Sequence, residues 1–488
     1  MEFSDDFHLF LQNYWPHVVL IVTLTASVAA AIHAAMTKDD VRAAIGWVAI
    51  VIFSPLLGAI FYFFAGINRI RQERVTQQRV LAEHDLMLIE QLEVRECPEA
   101  WPEQTHAMLK AGDSISRYPL LKGNAIELLN GGDQTYPAML NAIYQAKKSI
   151  ALQSYIFDHD HMGERIAKAL VAAQERGVEV RVLIDAVGSK YSRPPIIQLL
   201  REHRIPAALF LPTAMGMRLA YANLRSHRKV LVVDGELALA GGMNIRESFT
   251  SEFGKDAMTH DTHFRIRGPA TRQLMDSFAH DWEFTTSERL DGEKWFSSIN
   301  SVVQTENTAI RVVPSGPDKT LASNQHMVMA ALSTAKHHVR IQSPYFLPDI
   351  VLIGALTTAA RRGVIVDVVI PGNNNLKLVS AAMDAQLDQM VAEGVRIWAS
   401  SGTFDHSKLM TVDGFWTYAG SSNLDPRSLR LNFELDLEVY NAALTQQIEA
   451  RIDQSIATAH QVTLEALQAK PFGIRLRNRL IWLATPYL

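Results

Sequence analysis

The sequence predicts an α/β protein in which two tandem, similar halves form one unit, preceded by a two-helix transmembrane hairpin. Three observations predict this fold class: two apolar stretches near the N-terminus, an internal repeat, and a polar motif that occurs once in each repeat. We place the hairpin at residues 1–68, a connector at 69–118, the first half at 119–300 and the second half at 301–488.

The composition is that of a folded protein. Of the 488 residues, 48% are hydrophobic and 8% aromatic, and this length is sufficient for two or three domains. The formal net charge of -4 argues against a nucleic-acid partner, because such proteins usually present a basic surface. Cys97 is the single cysteine, which excludes an intrachain disulfide and a thiolate metal site.

Two apolar stretches, residues 18–36 and 43–67, carry no formal charge and are long enough to cross a membrane. The start of the chain is acidic and lacks the basic region of a secretory signal, so we expect the first stretch to be retained. Pro55 and Gly58 are expected to kink the second stretch. The sequence therefore predicts two membrane spans.

Positive charge predicts the orientation of these spans. Four arginines follow the second stretch directly, whereas only Lys38 and Arg42 lie between the two stretches. The four are Arg69, Arg71, Arg74 and Arg79. The positive-inside rule therefore predicts a multi-pass membrane protein with the C-terminal part and both termini in the cytoplasm.

Two further segments have less specific patterns. Residues 72–118 are polar and favour helix, and we interpret them as a solvated juxtamembrane connector. Residues 470–488 mix arginines with apolar side chains. This tail suits either an anionic membrane surface or an ordinary docked helix.

The internal repeat defines the two halves. Residues 146–157 match residues 335–346, and residues 175–185 match residues 361–371 in the same order. Each half is predicted to contain a strand, a helix, a second strand, a second helix and then a hairpin, with helices covering a sheet. The most economical arrangement places the two hairpins face to face at the seam between the halves.

The hairpin of each half contains the polar motif. Residues 227–244 read HRKVLVVDGELALAGGMN, and residues 406–423 read HSKLMTVDGFWTYAGSSN. Apolar runs on both sides of an Asp-Gly pair predict a strand, a tight turn and a second strand. Asp234 and Asp413 lie at these turns, so we interpret both as structural.

The remaining polar residues of the motif suit an anionic phosphodiester. A histidine and a lysine two residues apart on a strand point to the same face and can contact one ligand. Lysine and amide side chains neutralise phosphate oxygens, and one histidine can attack phosphorus while a second transfers protons. The predicted phosphate donors are Lys229, Lys408, Asn244 and Asn423. Because these donors replace a metal ion and no ligand cluster is evident, we predict no metal.

These strings resemble the paired HKD motifs of the phospholipase D superfamily, and nearly the whole chain resembles the bacterial cardiolipin synthases. The resemblance implies two tandem phospholipase D-like α/β halves that form one catalytic unit. It assigns catalytic roles to the six motif residues His227, Lys229, Asp234, His406, Lys408 and Asp413. It also implies that the N-terminal histidine is the nucleophile and that the other is the general acid and base.

Each histidine needs a carboxylate on its other ring nitrogen, and the family carries an acidic residue downstream of each motif. Asp261 and Glu434 occupy these positions, so we expect Asp261 to orient His227 and Glu434 to orient His406. The resemblance further implies that one phosphatidyl group passes from a phosphatidylglycerol to a second phosphatidylglycerol, with release of glycerol and without a cofactor. Membrane lipids, and no nucleic acid, are the expected partners.

Three other functions are compatible with parts of the pattern. A phospholipase D that uses water as acceptor, and a phosphatidyltransferase with a nucleotide-activated donor as in phosphatidylserine synthesis, would carry the same motifs. The predicted transmembrane hairpin favours the synthase, because its substrates are membrane lipids. A catalytically inactive scaffold is disfavoured because both motifs are complete. The sequence leaves the oligomeric state and the acyl-chain preference open.

Overall fold

The computed structural model of the chain describes residues 2–38, 40–66, 92–212, 224–255, 258–298 and 306–485. The chain divides into two compact units, Met1–Arg71 and Gln72–Leu488, and each is described by itself. The four arginines on which the predicted orientation depends, at positions 69, 71, 74 and 79, lie outside the described residues.

The N-terminal unit is helical. Its described helices are α1 (Glu2–Thr37), α2 (Val41–Phe53), α3 (Pro55–Phe61) and a π-helical turn (Tyr62–Gly66). Within the described residues, the segment Asn13–Thr37 of α1 is long and apolar enough to cross a membrane. The second predicted span consists of shorter apolar helices, so a second crossing stays a prediction.

The break between α2 and α3 has a local cause. Pro55 has no N–H to continue the helix, and Ser54 before it leaves helical geometry with φ -137° and ψ 73°. Gly58 permits a close approach, because a Cβ at this position would lie 2.4 Å from the Ile50 carbonyl oxygen. The kink predicted at Pro55 and Gly58 is therefore confirmed.

The second unit is built on one long sheet. Among the described residues, sixteen strands join in this sheet and two short strands pair separately. The first half contributes β1 (Leu121–Asn130), β2 (Ser149–Ser154), β3 (Glu179–Asp185), β4 (Ala207–Phe210), β5 (Arg225–Ser226), β6 (Val230–Val233), β7 (Leu237–Gly241), β8 (Thr259–His260) and β9 (Thr262–Arg267). The second half contributes β10 (Thr308–Ser315), β11 (His338–Gln342), β12 (Ile365–Pro371), β13 (Arg396–Ser400), β14 (Phe404–Asp405), β15 (Leu409–Val412), β16 (Trp416–Gly420), β17 (Asn432–Tyr440) and β18 (His460–Val462).

The strand order repeats in the two halves. The first half runs β4-β3-β2-β6-β7-β9-β1, and the second runs β18-β13-β12-β11-β15-β16-β17-β10. The two meet where β1 pairs antiparallel with β10. In both halves, three parallel strands adjoin the antiparallel motif hairpin, β6/β7 or β15/β16. The predicted internal repeat and the mixed α/β class are confirmed.

Helices cover both faces of the sheet. Those of the second unit are α4 (Thr105–Ile115), α5 (Gly132–Gln145), α6 (His161–Glu175), α7 (Ile196–Glu202), α8 (Ser251–Gly254), α9 (Ala270–Thr286), α10 (Ser323–Thr334), α11 (Ile350–Arg361), α12 (Lys377–Asp384), α13 (Leu387–Val391), α14 (Pro426–Arg430), α15 (Ala442–Ala457), α16 (Leu464–Gln468) and α17 (Phe472–Trp482). In the first half, α5 and α6 pack with Ile150 and Leu152, which lie two apart on one face of β2. Helix α9 contacts β4, β6 and β9.

The turn of each motif hairpin confirms the structural interpretation of its aspartate. Asp234 and Gly235 have φ values of 56° and 67°, and the Glu236 N–H donates to the Val233 carbonyl at 3.0 Å, as in a type I′ turn. The Asp234 carboxylate accepts the backbone N–H groups of Lys147, Lys148 and Ser149, which lead into β2. Asp413 accepts the N–H groups of residues 336, 337 and 338 ahead of β11 in the same way.

The described part of the connector is packed against the second half. The Trp101 ring stacks on Tyr440 with centroids 4.8 Å apart, and Gln104 Nε2 donates to Asp413 Oδ2 at 3.1 Å. Met108 and Leu109 of α4 belong to the buried core of the second half. The interpretation as a solvated connector is therefore wrong for residues 92–118, because the apolar face of α4 closes the core.

We predict that Asp413→Ala destabilises the second unit by roughly 2–4 kcal/mol. The change removes an ionised acceptor from several N–H groups and leaves a residue with a Cβ but no polar side chain at positive φ. The apparent unfolding temperature of the detergent-solubilised protein should fall by roughly 5 °C.

Asp413→Asn is the matched control, because asparagine tolerates this backbone conformation and retains one acceptor oxygen. The decrease in unfolding temperature for Asp413→Asn should be less than half of that for Asp413→Ala. An unchanged unfolding temperature for the alanine variant would contradict the structural role of this carboxylate.

Candidate active site

Both motif histidines line one cavity of about 310 Å³ at the seam between the halves. His227 follows β5 and His406 follows β14, so each stands at the start of its motif hairpin. Asn244 and Asn423, at the other end of each motif, line the same cavity. The structure thus brings four of the predicted site residues together around one space.

The two motif lysines lie directly beneath the histidines and are not wall residues of this cavity. Lys229 Nζ donates to the His227 carbonyl, and Lys408 Nζ donates to the His406 carbonyl. Burial lowers the pKa of Lys229 to about 7, and it also lowers the pKa of Lys408. An anionic phosphate between them would offset this desolvation and favour the protonated amines.

The carboxylates pair with the histidines of the opposite halves. Glu434 Oε2 lies 3.0 Å from His227 Nδ1, and Asp261 Oδ2 lies 2.7 Å from His406 Nδ1. The expectation that Asp261 contacts His227 and Glu434 contacts His406 is therefore wrong. Both carboxylates were identified, but their partners are exchanged.

Strand pairing across the seam explains this exchange. Strand β5, just before His227, pairs parallel with the start of β17, and the His227 N–H donates to the Phe433 carbonyl at 2.8 Å. Strand β14, just before His406, pairs parallel with β8, and the His406 N–H donates to the His260 carbonyl at 2.7 Å. The backbone N–H of each histidine thus bonds to the residue that directly precedes the carboxylate of the opposite half.

Both carboxylates have further hydrogen-bond donors. Ser421 Oγ donates to Glu434 Oε2 at 2.6 Å, and Asn432 Nδ2 donates to Oε1 at 3.2 Å. The Thr262 N–H donates to Asp261 Oδ1 at 2.7 Å. Burial opposes ionisation of Glu434, but the adjacent His227, Lys229 and Ser421 outweigh it and lower the pKa of this carboxyl. Burial prevails at Asp261 and raises its pKa to about 6.

These contacts define which ring nitrogen is available for chemistry. A proton on Nδ1 that is donated to the carboxylate leaves the lone pair on Nε2. Burial lowers the pKa of His227 and places that of His406 well below its ordinary value, so it favours the neutral form of both rings. A neutral imidazole is the form required of a nucleophile or a general base.

The two asparagines at the motif ends differ in their hydrogen bonds. Asn244 Oδ1 accepts the Ile156 N–H at 3.0 Å, which leaves the Nδ2 group of this cavity residue as its donor. Asn423 Oδ1 is buried without a hydrogen-bond partner. Asp234 and Asp413 do not line the cavity and hold the far ends of the hairpins.

Several residues that sequence reasoning missed complete the site. Tyr155 and Tyr345 line the cavity, with ring centroids 5.0 Å from His227 and 5.9 Å from His406. Arg228, which stands between His227 and Lys229 in the chain, pairs with buried Asp281 at 3.0 Å and donates to the Glu434 carbonyl. An arginine inside the motif was the available signal, because a buried guanidinium requires a carboxylate partner.

Metal coordination has no evident basis in the part of the chain that the structure describes. That part contains no group of three or more histidine, cysteine, aspartate or glutamate side chains arranged to hold a metal ion. The buried cations at and around the site include Lys229, Lys408 and Arg225, and Arg225 lines the cavity.

Comparisons with known proteins agree with this geometry. The family model described as "Cardiolipin synthase, PLD-like domain" matches residues 139–282 and 328–456, and "Phospholipase D-nuclease N-terminal" matches residues 25–66. A cardiolipin synthase of Geobacillus sp. (strain WCH70) is 29% identical over 98% of this chain and 97% of its own length. A cardiolipin synthase A of Pseudomonas aeruginosa (strain LESB58) is 31% identical over 94% of this chain and 93% of its own length.

A solved structure shares the fold at lower identity. The phosphatidylserine synthase of Haemophilus influenzae Rd KW20 superposes with a TM-score of 0.61 and 18% identity, over 78% of this chain and 100% of that chain. The matched family model includes more than half of the present sequence, and both of its segments carry a motif histidine. The chain therefore belongs to the cardiolipin synthase family of the phospholipase D superfamily.

Proposed function

We propose that this chain is a cardiolipin synthase that transfers a phosphatidyl group from one phosphatidylglycerol to the free glycerol hydroxyl of another, with release of glycerol. The observation that carries the proposal is the pair of carboxylate-bound histidines lining one cavity in a chain of this family. One phosphodiester replaces another, so the reaction is close to thermoneutral. The tandem halves act as one catalytic unit, since each histidine depends on a carboxylate of the other half.

In the first step, His227 Nε2 attacks the phosphorus of the donor lipid. The bond from phosphorus to the glycerol oxygen breaks, and His406 supplies the proton that this oxygen needs. The negative charge of the bound phosphate raises the pKa of His406 relative to the empty site, so its protonation accompanies substrate binding. Lys229, Lys408 and the two motif asparagines stabilise the charge on the phosphoryl oxygens.

In the second step, His406 removes a proton from the glycerol hydroxyl of the acceptor lipid. The resulting oxygen attacks phosphorus, and the bond from phosphorus to His227 breaks. Donor and acceptor are both membrane lipids, and a cavity of about 310 Å³ suits their head groups rather than their acyl chains. The chemistry therefore takes place at the level of the lipid head groups.

We also propose a specific membrane topology for this chain. We place two spans in residues 18–36 and 43–67, with the catalytic part and both termini in the cytoplasm of a bacterial inner membrane. The long apolar helix segment Asn13–Thr37 and the arginines at 69–79 in the sequence support this topology.

Purified full-length protein in phosphatidylglycerol vesicles should produce cardiolipin and free glycerol in equal amounts, and excess chelator should leave the rate unchanged. Lipid mass analysis and a glycerol assay measure both products. Phosphatidic acid with glycerol would identify a hydrolase, and absence of product without a nucleotide-activated lipid would identify the other transferase. A chelator-sensitive rate restored by one divalent ion would exclude the metal-free mechanism.

His227 is predicted to carry the covalent intermediate. In His406→Ala the donor still reacts slowly, but the acceptor is not activated, so phosphatidyl-enzyme should accumulate on His227. His227→Ala should not become labelled. Acid quenching after exposure to radiolabelled phosphatidylglycerol, followed by peptide mapping, measures both outcomes. Label on His406 in the His227→Ala protein would reverse the assignment.

The exchanged carboxylates predict different phenotypes for two conservative variants. Asp261→Asn should behave like a weakened His406 and accumulate phosphatidyl-enzyme, whereas Glu434→Gln should behave like a weakened His227 and form little. Both should lower kcat by roughly 10²- to 10⁴-fold with an unchanged unfolding temperature. The same quench assay compares them. Accumulation of phosphatidyl-enzyme in the Glu434→Gln protein, and not in the Asp261→Asn protein, would indicate that each carboxylate acts on the histidine of its own half.

The topology predicts which engineered cysteines are accessible from outside the cell. In a Cys97→Ser background, Asp39→Cys should react with a membrane-impermeant maleimide in intact cells. Lys168→Cys, at a side chain that is 72% exposed in the catalytic part, should react only after permeabilisation. The opposite labelling pattern would place the catalytic part outside.

A further inference from the structure

The C-terminal helix α17 is docked on the second half through one face. Asn478 is 4% exposed, and its Nδ2 donates to Asp384 Oδ2 at 2.7 Å. Trp482 Nε1 donates to Gln386 Oε1 at 3.0 Å, and Ile481 packs with Trp482 against the core of the second half. The helix therefore has a defined orientation on the folded unit.

Docking leaves a second, apolar face of the same helix exposed. Phe472, Leu476, Leu480 and Leu483 are 72%, 46%, 58% and 66% exposed. Their spacing of four, four and three residues places them on one side of the helix, and we call these four residues the apolar stripe. A row of large apolar side chains in water is costly and marks a contact surface.

Basic side chains border the apolar stripe. Arg475 and Arg477 are exposed, and the latter donates to Asn478 Oδ1 at 2.9 Å. An apolar stripe bordered by arginines is the pattern of helices that lie in the interface of anionic membranes. A partner protein of ordinary interface composition would not require this flanking positive charge.

The helix that receives α17 also reaches the active-site cavity. Asp384, the acceptor of Asn478, is the last residue of α12. At the other end of α12, Leu376 and Val379 line the cavity, and Leu376 and Leu378 are 47% and 57% exposed. Exposed apolar side chains therefore occur both at the edge of the cavity and on the helix that α12 holds.

We propose that the apolar stripe, together with Leu376 and Leu378, inserts into the head-group region of an anionic lipid bilayer and holds the cavity at the membrane surface. This rests on the proposed function for its biological purpose, since phosphatidylglycerol is both the anionic lipid and the substrate. The contact acts in addition to the N-terminal span. It brings lipid head groups to the two histidines while the acyl chains stay in the bilayer.

The insertion is tested without turnover. Full-length protein carrying His227→Ala, Cys97→Ser and Leu480→Cys is labelled with an environment-sensitive fluorophore and reconstituted in vesicles of phosphatidylglycerol and phosphatidylcholine in equal parts. Brominated acyl chains should quench the label at least about twofold, as expected for a side chain buried several ångströms into the interface. Quenching should be weaker in phosphatidylcholine alone and should decrease when Arg475→Gln is added.

Tyr144→Cys, at a side chain that is 56% exposed on α5, is the matched control and should not be quenched. Absence of quenching at position 480, or equal quenching at position 144, would overturn the proposal. If the unlabelled Leu480→Cys protein forms a disulfide between two copies under mild oxidation, and the labelled protein shows no quenching, the apolar stripe mediates self-association and the proposal is overturned.

A second test uses turnover by protein with both catalytic histidines. Leu476→Gln combined with Leu480→Gln should raise KM for phosphatidylglycerol in vesicles at least about threefold. The reason is that two leucines that would insert into the bilayer are replaced by polar side chains. Turnover of a monomeric short-chain phosphatidylglycerol should be unchanged. Equal losses on both substrates would reduce the helix to a structural element. If the unmodified protein forms no cardiolipin from either substrate, the proposed function fails, whereas the quenching result stands by itself.

Discussion

Each motif histidine contacts a carboxylate of the opposite half, and the rest of the candidate site is arranged around these two contacts. The contacts exist because short strands before His227 and His406 pair with strands that lead to Glu434 and Asp261. Pairing of β1 with β10 joins the strands of the two halves into one sheet. Neither half has a complete site when separated from the other, because its histidine would lack an orienting carboxylate.

Burial strengthens the charge interactions of the site and raises the cost of a charge that has no partner. Two lysines, two histidines and two carboxylates share a volume with little water, and burial lowers the pKa of Lys229 to about 7 and raises that of Asp261 to about 6. Coulombic interactions are larger in such surroundings, so the correct partner contributes more and a missing partner costs more. In the proposed mechanism, the phosphodiester supplies negative charge that offsets the burial of the two lysines. Burial of the two lysines thus favours binding of an anion.

The size of the cavity also bears on where the lipid acyl chains lie. A cavity of about 310 Å³ accepts head groups, so the acyl chains of both substrates must remain in a bilayer next to its entrance. An apolar stripe on a helix docked against α12, whose first turn borders the cavity, provides a surface for that bilayer. The N-terminal apolar helix keeps the protein at the membrane, whereas the C-terminal helix would position the site.

The sequence by itself determined the local features of this protein. Apolar runs on both sides of the Asp-Gly pairs predicted the motif hairpins, and the Asp-Gly pairs predicted their turns. The repeat predicted two halves with the same order of elements. These properties depend on residues that are near one another in the chain. The pairing of Glu434 with His227, the burial of Arg228 against Asp281 and the packing of residues 92–118 were decided only by the tertiary structure. They depend on how strands distant in the chain align across the seam, and similar separations from each motif to its carboxylate are compatible with pairing within a half or between halves.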